Sequence, residues 1–362
     1  MNIRSRNLIL FFICLLAKIS LAAPLGDHIG AGTYGQVYKT SHPYFIGNVA
    51  LKKLSIDENM EEEEIKNEIN YINREVQNAL KLSSTNHPNI VKFLMSYMQG
   101  LNAYVYFEYL PTNLEKTIHT SAHRTPFETK LTWILDLING IEFIHKNGVV
   151  HGDIKPANIL ITHNNHLKIC DFGHSHTIGQ NLDLYDHGEI YTLWYRAPEL
   201  MLSDKKWLIF PNWYDKETHT WEYNKKVGFW DYNEKIDIWA FGLVSYEILT
   251  GKALLQGDSE YDQMMKTFQI TGTPNEANWP GVSQLAHYSH EFPKWKSELG
   301  KINEEIFKEY SKIFKSNQQA KHFRSLLTAL SLSLTLDPTK RPSADLLQHQ
   351  LGVIIEKLVY SS

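Results

Sequence analysis

The apolar pattern changes period once, near Leu110 to Asn113, and that change limits what the chain can fold into more than any other feature. Before it, short β-like runs surround Gly30 to Tyr38 and Asn48 to Leu54 and return at Ile90 to Tyr97 and Tyr104 to Tyr109. One helical stretch interrupts them. Ile65, Ile69, Ile72, Val76 and Leu80 recur at spacings of four, three, four and four, which is the repeat of an amphipathic helix. Glu61 to Glu64 stand at its start, where carboxylates complement the helix dipole. After the change, helical periods dominate: Leu131, Ile134, Leu135, Ile138 and Ile141 share one face, and a later apolar helix spans Ile236 to Thr250. Strands first and helices after predict an α+β chain of two lobes. The N-lobe, about residues 25–110, is small and β-rich with one main helix; the C-lobe, about residues 111–351, is larger and mainly helical, with a ligand cleft expected between them.

The 362 residues suffice for two such lobes. With 36 Lys plus Arg against 40 Asp plus Glu, the net charge of -4 argues against nucleic acid as a partner. Cys14 and Cys170 are too few for a disulfide framework or a zinc site, so packing has to hold the fold. Residues 1–22 are read separately. Arg4 and Arg6 precede an apolar run from Leu8 to Ala17, followed by Lys18 and the small-residue stretch Ser20 to Ala23, a pattern similar to a cleavable secretory signal. The run is too short to span a bilayer, which takes about 20 apolar residues. The alternative is an N-terminal strand or hydrophobic extension. Membrane contact is expected only through this segment, and no Asn-x-Ser/Thr sequon occurs in the chain.

Chemistry-bearing residues follow in a fixed order. After Ile29, Gly30-Ala31-Gly32-Thr33-Tyr34-Gly35-Gln36-Val37 forms a GxGxxGxV loop, in which glycines let backbone N–H groups approach phosphates. Gln36-Val37 rather than Lys-Ser/Thr follows its last glycine, unlike a Walker loop, and its strand-turn-strand setting argues against a dinucleotide-binding βαβ unit. Lys52 closes Val49-Ala50-Leu51-Lys52. His151-Gly152-Asp153-Ile154-Lys155-Pro156-Ala157-Asn158 has the form HxDxKxxN, Asp171-Phe172-Gly173 comes next, and Ala197-Pro198-Glu199 closes the series. Together these motifs resemble the eukaryotic protein kinase family from about Leu25 to residue 351.

The resemblance implies a two-lobed protein kinase fold with ATP and Mg²⁺ as cofactors and protein substrates as partners. It implies that Asp153 accepts the hydroxyl proton, that Lys155 lies near the transferred phosphate, and that Thr192 helps fix Asp153. Lys155 and Thr192 point to serine/threonine rather than tyrosine. Asn158 and Asp171 would hold the metal, as oxygen donors suited to a hard cation. Ile29, Gly30, Ala31, Gly32, Thr33, Tyr34, Gly35, Gln36 and Val37 would cover the nucleotide. Lys52 would hold its phosphates and pair with Glu75, with Glu68, two turns earlier, as the alternative. Backbone groups of Glu108 and Leu110 would bond the adenine between Val37, Ala50 and Leu160, with Phe107 behind it. Leu200, Asp237, Trp239 and Gly242 read as structural, and Arg341 as the partner of Glu199.

Thr192 to Leu200, Gln256 to Met264, Gly272-Thr273-Pro274 and Trp279-Pro280-Gly281-Val282 are similar to cyclin-dependent kinases. That resemblance implies phosphorylation of Ser/Thr followed by Pro, through a pocket shaped by Arg196, and a cell-cycle role. Gly152 replaces the usual arginine, and His187 stands where the activating threonine does, so activity is expected without activation-segment phosphorylation. Only Ile72 to Val76 match the cyclin-contact helix, which leaves a cyclin-like activator an open question. Residues 203–233 form an aromatic-rich insertion holding Trp207, Trp213, Tyr214, Trp221, Tyr223, Phe229, Trp230 and Tyr232, read equally as a docking surface or a self-packed flap. Rival readings are a non-catalytic kinase-fold scaffold, a small-molecule phosphotransferase, and an exported kinase acting outside the cell cycle. The signal-like segment implies the secretory pathway or secretion, whereas family analogy implies nucleus or cytoplasm.

Overall fold

The computed structural model describes residues 25–32, 35–121, 124–178, 193–203, 213–215, 220–222 and 233–360. The signal-like segment 1–22, Thr33, Tyr34, His187, Thr192 and most of the aromatic stretch 203–233 lie outside the described residues. The chain divides into two units between Pro111 and Thr112.

The first unit is one antiparallel sheet and one helix. Its strands are β1 (Asp27–Gly32), β2 (Gly35–Ser41), β3 (Asn48–Ser55), β4 (Phe93–Gln99) and β5 (Asn102–Glu108), in the order β1-β2-β3-β5-β4. Register fixes which side chains share a face. Val37 and Val105 stand opposite Lys52 on either side, and Ala50, two residues along, points the same way. The other face buries Val49, Leu51 and Tyr106, against which Tyr38, Met95, Tyr97 and Tyr104 pack. Tyr97 stacks on Tyr104 with ring centroids 4.9 Å apart. The register of β1 against β2 shifts between His28 and Gly30, so Ile29 is a bulge residue.

The helix α1 (Glu62–Ser83) begins as the glutamates predict, with the Glu64 carboxylate accepting the Glu61 backbone N–H at 3.0 Å. Its buried face differs from the isoleucine-rich one expected. Tyr71, Ile72, Glu75, Asn78, Ala79 and Leu82 are buried, whereas Leu80 is exposed. The inward stripe is rotated because a carboxylate, Glu75, takes a core position to meet a buried lysine.

The second unit is mainly helical: α2 (Leu114–Ser121), α3 (Phe127–Lys146), α4 (Pro198–Leu202), α5 (Lys235–Thr250), α6 (Glu260–Thr271), α7 (Leu299–Tyr310), α8 (Asn317–Ser333) and α9 (Ala344–Tyr360). Every residue from Ile236 to Leu249 is buried, Asp237 and Glu247 included, so α5 is the core helix, enclosed on all sides. It packs closely on the end of α8. A Cβ at Gly242 would stand 2.8 Å from Leu334 Cδ2 and 2.9 Å from Ser333 Cβ, so only glycine fits there. Short strands β6 (Thr112–Asn113), β8 (Ile159–Ile161) and β9 (Leu167–Ile169) form one sheet, β7 (Val149–Val150) pairs with β10 (His176–Thr177), and β11 (Trp213–Asp215) with β12 (Thr220–Glu222). A β-sheet unit followed by a mainly helical one is the fold class the change of period predicts. Among the described residues, no helix is long and apolar enough to cross a membrane.

Candidate functional site

In the first unit, Lys52 Nζ lies 2.7 Å from Glu75 Oε1, and both residues are buried. Strand β3 aims the lysine to the α1 side of the sheet, and Glu75 rather than Glu68 takes it. The pair sets an ammonium beside a carboxylate, and Val37 and Val105 are the cross-strand neighbours of Lys52. Gly35 has a packing reason to be glycine: a Cβ there would fall 2.6 Å from the Lys53 carbonyl oxygen. Gly30, by contrast, borders open space. At the end of β5, Phe107 is buried edge-on to Phe93. Glu108 donates its N–H to the Lys92 carbonyl at 3.0 Å and accepts the Lys92 N–H on its side chain at 2.7 Å. Any bond from the Glu108 backbone to a ligand therefore uses its carbonyl. Leu110 is half-buried.

In the second unit, the catalytic-loop motif runs from β7 to β8 and is held from below by Asp237 in the first turn of α5. Its Oδ2 accepts the His151 N–H at 2.8 Å and its Oδ1 the Gly152 N–H at 2.9 Å, while His145 Nε2 stands 2.9 Å away. Burial opposes the charge on Asp237, but His145, His151 and the Gly152 N–H outweigh it and hold the carboxyl below its ordinary pKa. Gly152 has φ 80°, a left-handed conformation that glycine adopts without strain. His151 ties this loop to the next motif: its ring lies edge-on to Phe172 at 5.3 Å and its Nε2 is 3.1 Å from the Cys170 carbonyl.

Three of the expected residues meet on one oxygen. Asp153 Oδ2 has Lys155 Nζ at 2.7 Å and Asn158 Nδ2 at 2.8 Å, and the Asn158 amide also donates to the Asp153 carbonyl oxygen at 3.0 Å. With its nitrogen so used, Asn158 has its amide oxygen for a cation. The Asn158 backbone carbonyl accepts the Cys170 N–H at 3.0 Å, which seats Asp171 beside the loop. Asp171 has φ 67°, an uncommon conformation for a residue with a Cβ and one that clusters at functional sites. A carboxylate plus an amide oxygen is a donor set suited to Mg²⁺, which is bound by one or two protein carboxylates plus substrate phosphates. Leu160 is half-buried on β8.

Farther along, Arg196 is buried and ion-paired with Glu260. Trp194 donates its indole N–H to the Gly257 carbonyl at 3.0 Å, and Gln263 bonds both the Trp194 carbonyl and the Gly257 N–H. Residues 194–196 are thus clamped to the start of α6. Arg341 bonds both oxygens of Glu199, at 2.7 and 2.9 Å. One residue that the motif reading passed over also belongs here. His174, directly after Asp-Phe-Gly, brings Nδ1 to 3.8 Å from Asp153 Oδ2, and its signal in the sequence was no more than an ionisable residue next to a motif. Residues 24–351 match the family described as protein kinase domain.

Proposed function

This chain belongs to the protein kinase family, and from that membership we propose that it transfers the γ-phosphoryl group of ATP to serine and threonine hydroxyls of proteins, preferentially before proline. The observation that carries the reading is the meeting of Lys155 and Asn158 on Asp153 Oδ2. Asp153 is the group that orients the hydroxyl and takes its proton, and Lys155, 2.7 Å away, is the cation positioned for a phosphoryl oxygen. Lys52, with Glu75 fixing its ammonium, binds the ATP phosphates from the first unit. Asn158 and Asp171 are the residues that would hold Mg²⁺, which when bound neutralises charge on the phosphates. In the first unit, the Glu108 carbonyl and the Leu110 backbone bond the adenine, with Val37 and Ala50 against the ring.

The clamp on residues 194–196 supports the proline preference. Arg196 is occupied by Glu260, so the surface following the phosphoacceptor is rigid rather than a mobile cation. A residue with no N–H of its own is suited to such a surface. With peptides differing only at the position after serine, Pro is expected to give roughly tenfold or more higher kcat/KM than Ala; equal values would remove the cyclin-dependent-kinase-like reading and leave the kinase activity standing.

Regulation should differ from that of relatives that carry the loop arginine. Gly152 has no side chain to bind a phosphothreonine, and its left-handed φ would strain most replacements. Protein treated exhaustively with phosphatase is expected to retain its kcat within about twofold. A loss of tenfold or more, restored by an upstream kinase, would show that an activating phosphate is read by another cation.

A further inference from the structure

His174 is the ionisable group nearest the transfer chemistry that the reading above leaves without a role. Its side chain is only 9% exposed, and Nδ1 faces the oxygen of Asp153 that Lys155 and Asn158 already touch. The backbone on its C-terminal side is fixed: the Ser175 N–H and hydroxyl both donate to the Phe172 carbonyl, at 3.0 and 2.6 Å, and His176 pairs with Val150 across the β7–β10 ladder. The backbone that leads into the ring is therefore fixed on that side. Burial lowers its pKa, against the pull of Asp153 and Asp171 and together with Lys155 and His151. Near pH 7 it is a neutral imidazole with one N–H to donate.

We propose that His174 is a positioning residue for Asp153, with its Nδ1–H directed at Oδ2 so that the plane of the carboxylate is fixed from a third side before the substrate hydroxyl arrives. The inference rests on the protein kinase reading. Lys155 and Asn158 approach from the loop that carries Asp153 itself. His174 comes from the following segment, so its contact fixes Asp153 relative to the Asp-Phe-Gly motif, on which Asp171 stands. The separation of 3.8 Å is longer than a hydrogen bond, and contacts of this kind tighten when substrate binds.

Two replacements separate the ring's volume from its nitrogen. His174→Phe keeps the ring and loses the donor, and its kcat on a Ser-Pro peptide is expected to fall about tenfold while both KM values stay within twofold. His174→Asn places an amide nitrogen near the position of Nδ1 and is expected to recover at least half of the wild-type kcat. Full activity in His174→Phe, or no gain in His174→Asn over it, overturns the proposal. A second readout needs no turnover. In protein labelled with ¹⁵N-histidine, the signal lost in His174→Phe should report the Nδ1–H tautomer, and Asp153→Ala should change it to Nε2–H. An Nε2–H tautomer in the wild type, or no response to Asp153→Ala, overturns the pairing. Wild-type protein that phosphorylates no peptide refutes the proposed function instead, and the tautomer still decides the contact.

Discussion

Asp171→Asn is expected to lower kcat for peptide phosphorylation by about 10³-fold while leaving the fold intact. Asp171 has φ 67°, and asparagine is, with aspartate, among the few residues with a Cβ that enter this region readily, so the replacement adds no strain. Side-chain volume is also kept. What changes is one negative charge beside Asn158, whose amide nitrogen is already committed to Asp153. An amide is a far weaker ligand for a hard cation than a carboxylate, and loss of a single preorganised charge or donor at a reacting centre costs about 10²–10³ in rate. Phosphate incorporation measured at saturating ATP and Mg²⁺, together with a thermal midpoint within about 3 °C of wild type, checks both halves. Activity within tenfold of wild type would mean that Asp171 holds no essential metal. The result would then favour the scaffold reading only if the wild type were equally slow.

How much of this could be read before the structure depended on the distance over which each feature is encoded. The fold class was legible because alternation and helical repeat are local properties, and they change near Leu110. The buried face of α1 was not, although its start at the run of glutamates was. Hydrophobic spacing favoured the stripe through Leu80, but an ion pair with Lys52 puts Glu75 in the core, and a pairing across 23 residues leaves no trace in helical period. Within the catalytic loop, Asp153, Lys155 and Asn158 lie so close in sequence that a motif captures them all. Asp237, which holds the backbone of His151 and Gly152, lies more than 80 residues away and could be read only as structural. His174 was missed for another reason. It lies beside a motif without being part of it, and only the three-dimensional path of the β7–β10 pair turns it toward Asp153.

Arg341→Ala should produce the largest loss of stability, about 3–5 kcal/mol in chemical denaturation. The guanidinium is fully enclosed: it bonds both Glu199 oxygens, at 2.7 and 2.9 Å, and the carbonyls of Thr335, Lys235 and Leu336 at 2.9, 2.8 and 3.2 Å. It also lies over the Trp239 ring at 5.2 Å. Truncation leaves the Glu199 carboxylate, itself buried, without its counter-charge, and three carbonyls without their donor. Arg341→Lys should lose much of the same stability, because an ammonium has three donors and cannot match a planar fork on two oxygens. The double replacement Arg341→Met with Glu199→Leu removes both charges together and should be more stable than Arg341→Ala, since an apolar pair avoids a buried unpaired ion. A single-variant loss below about 1 kcal/mol would refute this account. The expected consequence for function follows from position. Glu199 lies in the first turn of α4, three residues after Arg196, so freeing it loosens the segment that the Trp194 and Gln263 bonds otherwise clamp. Protein denatured only in part by the Arg341→Ala change should therefore be cleaved by proteases at residues 193–203 before the core helix α5, and lose the proposed preference for proline before it loses ATP binding.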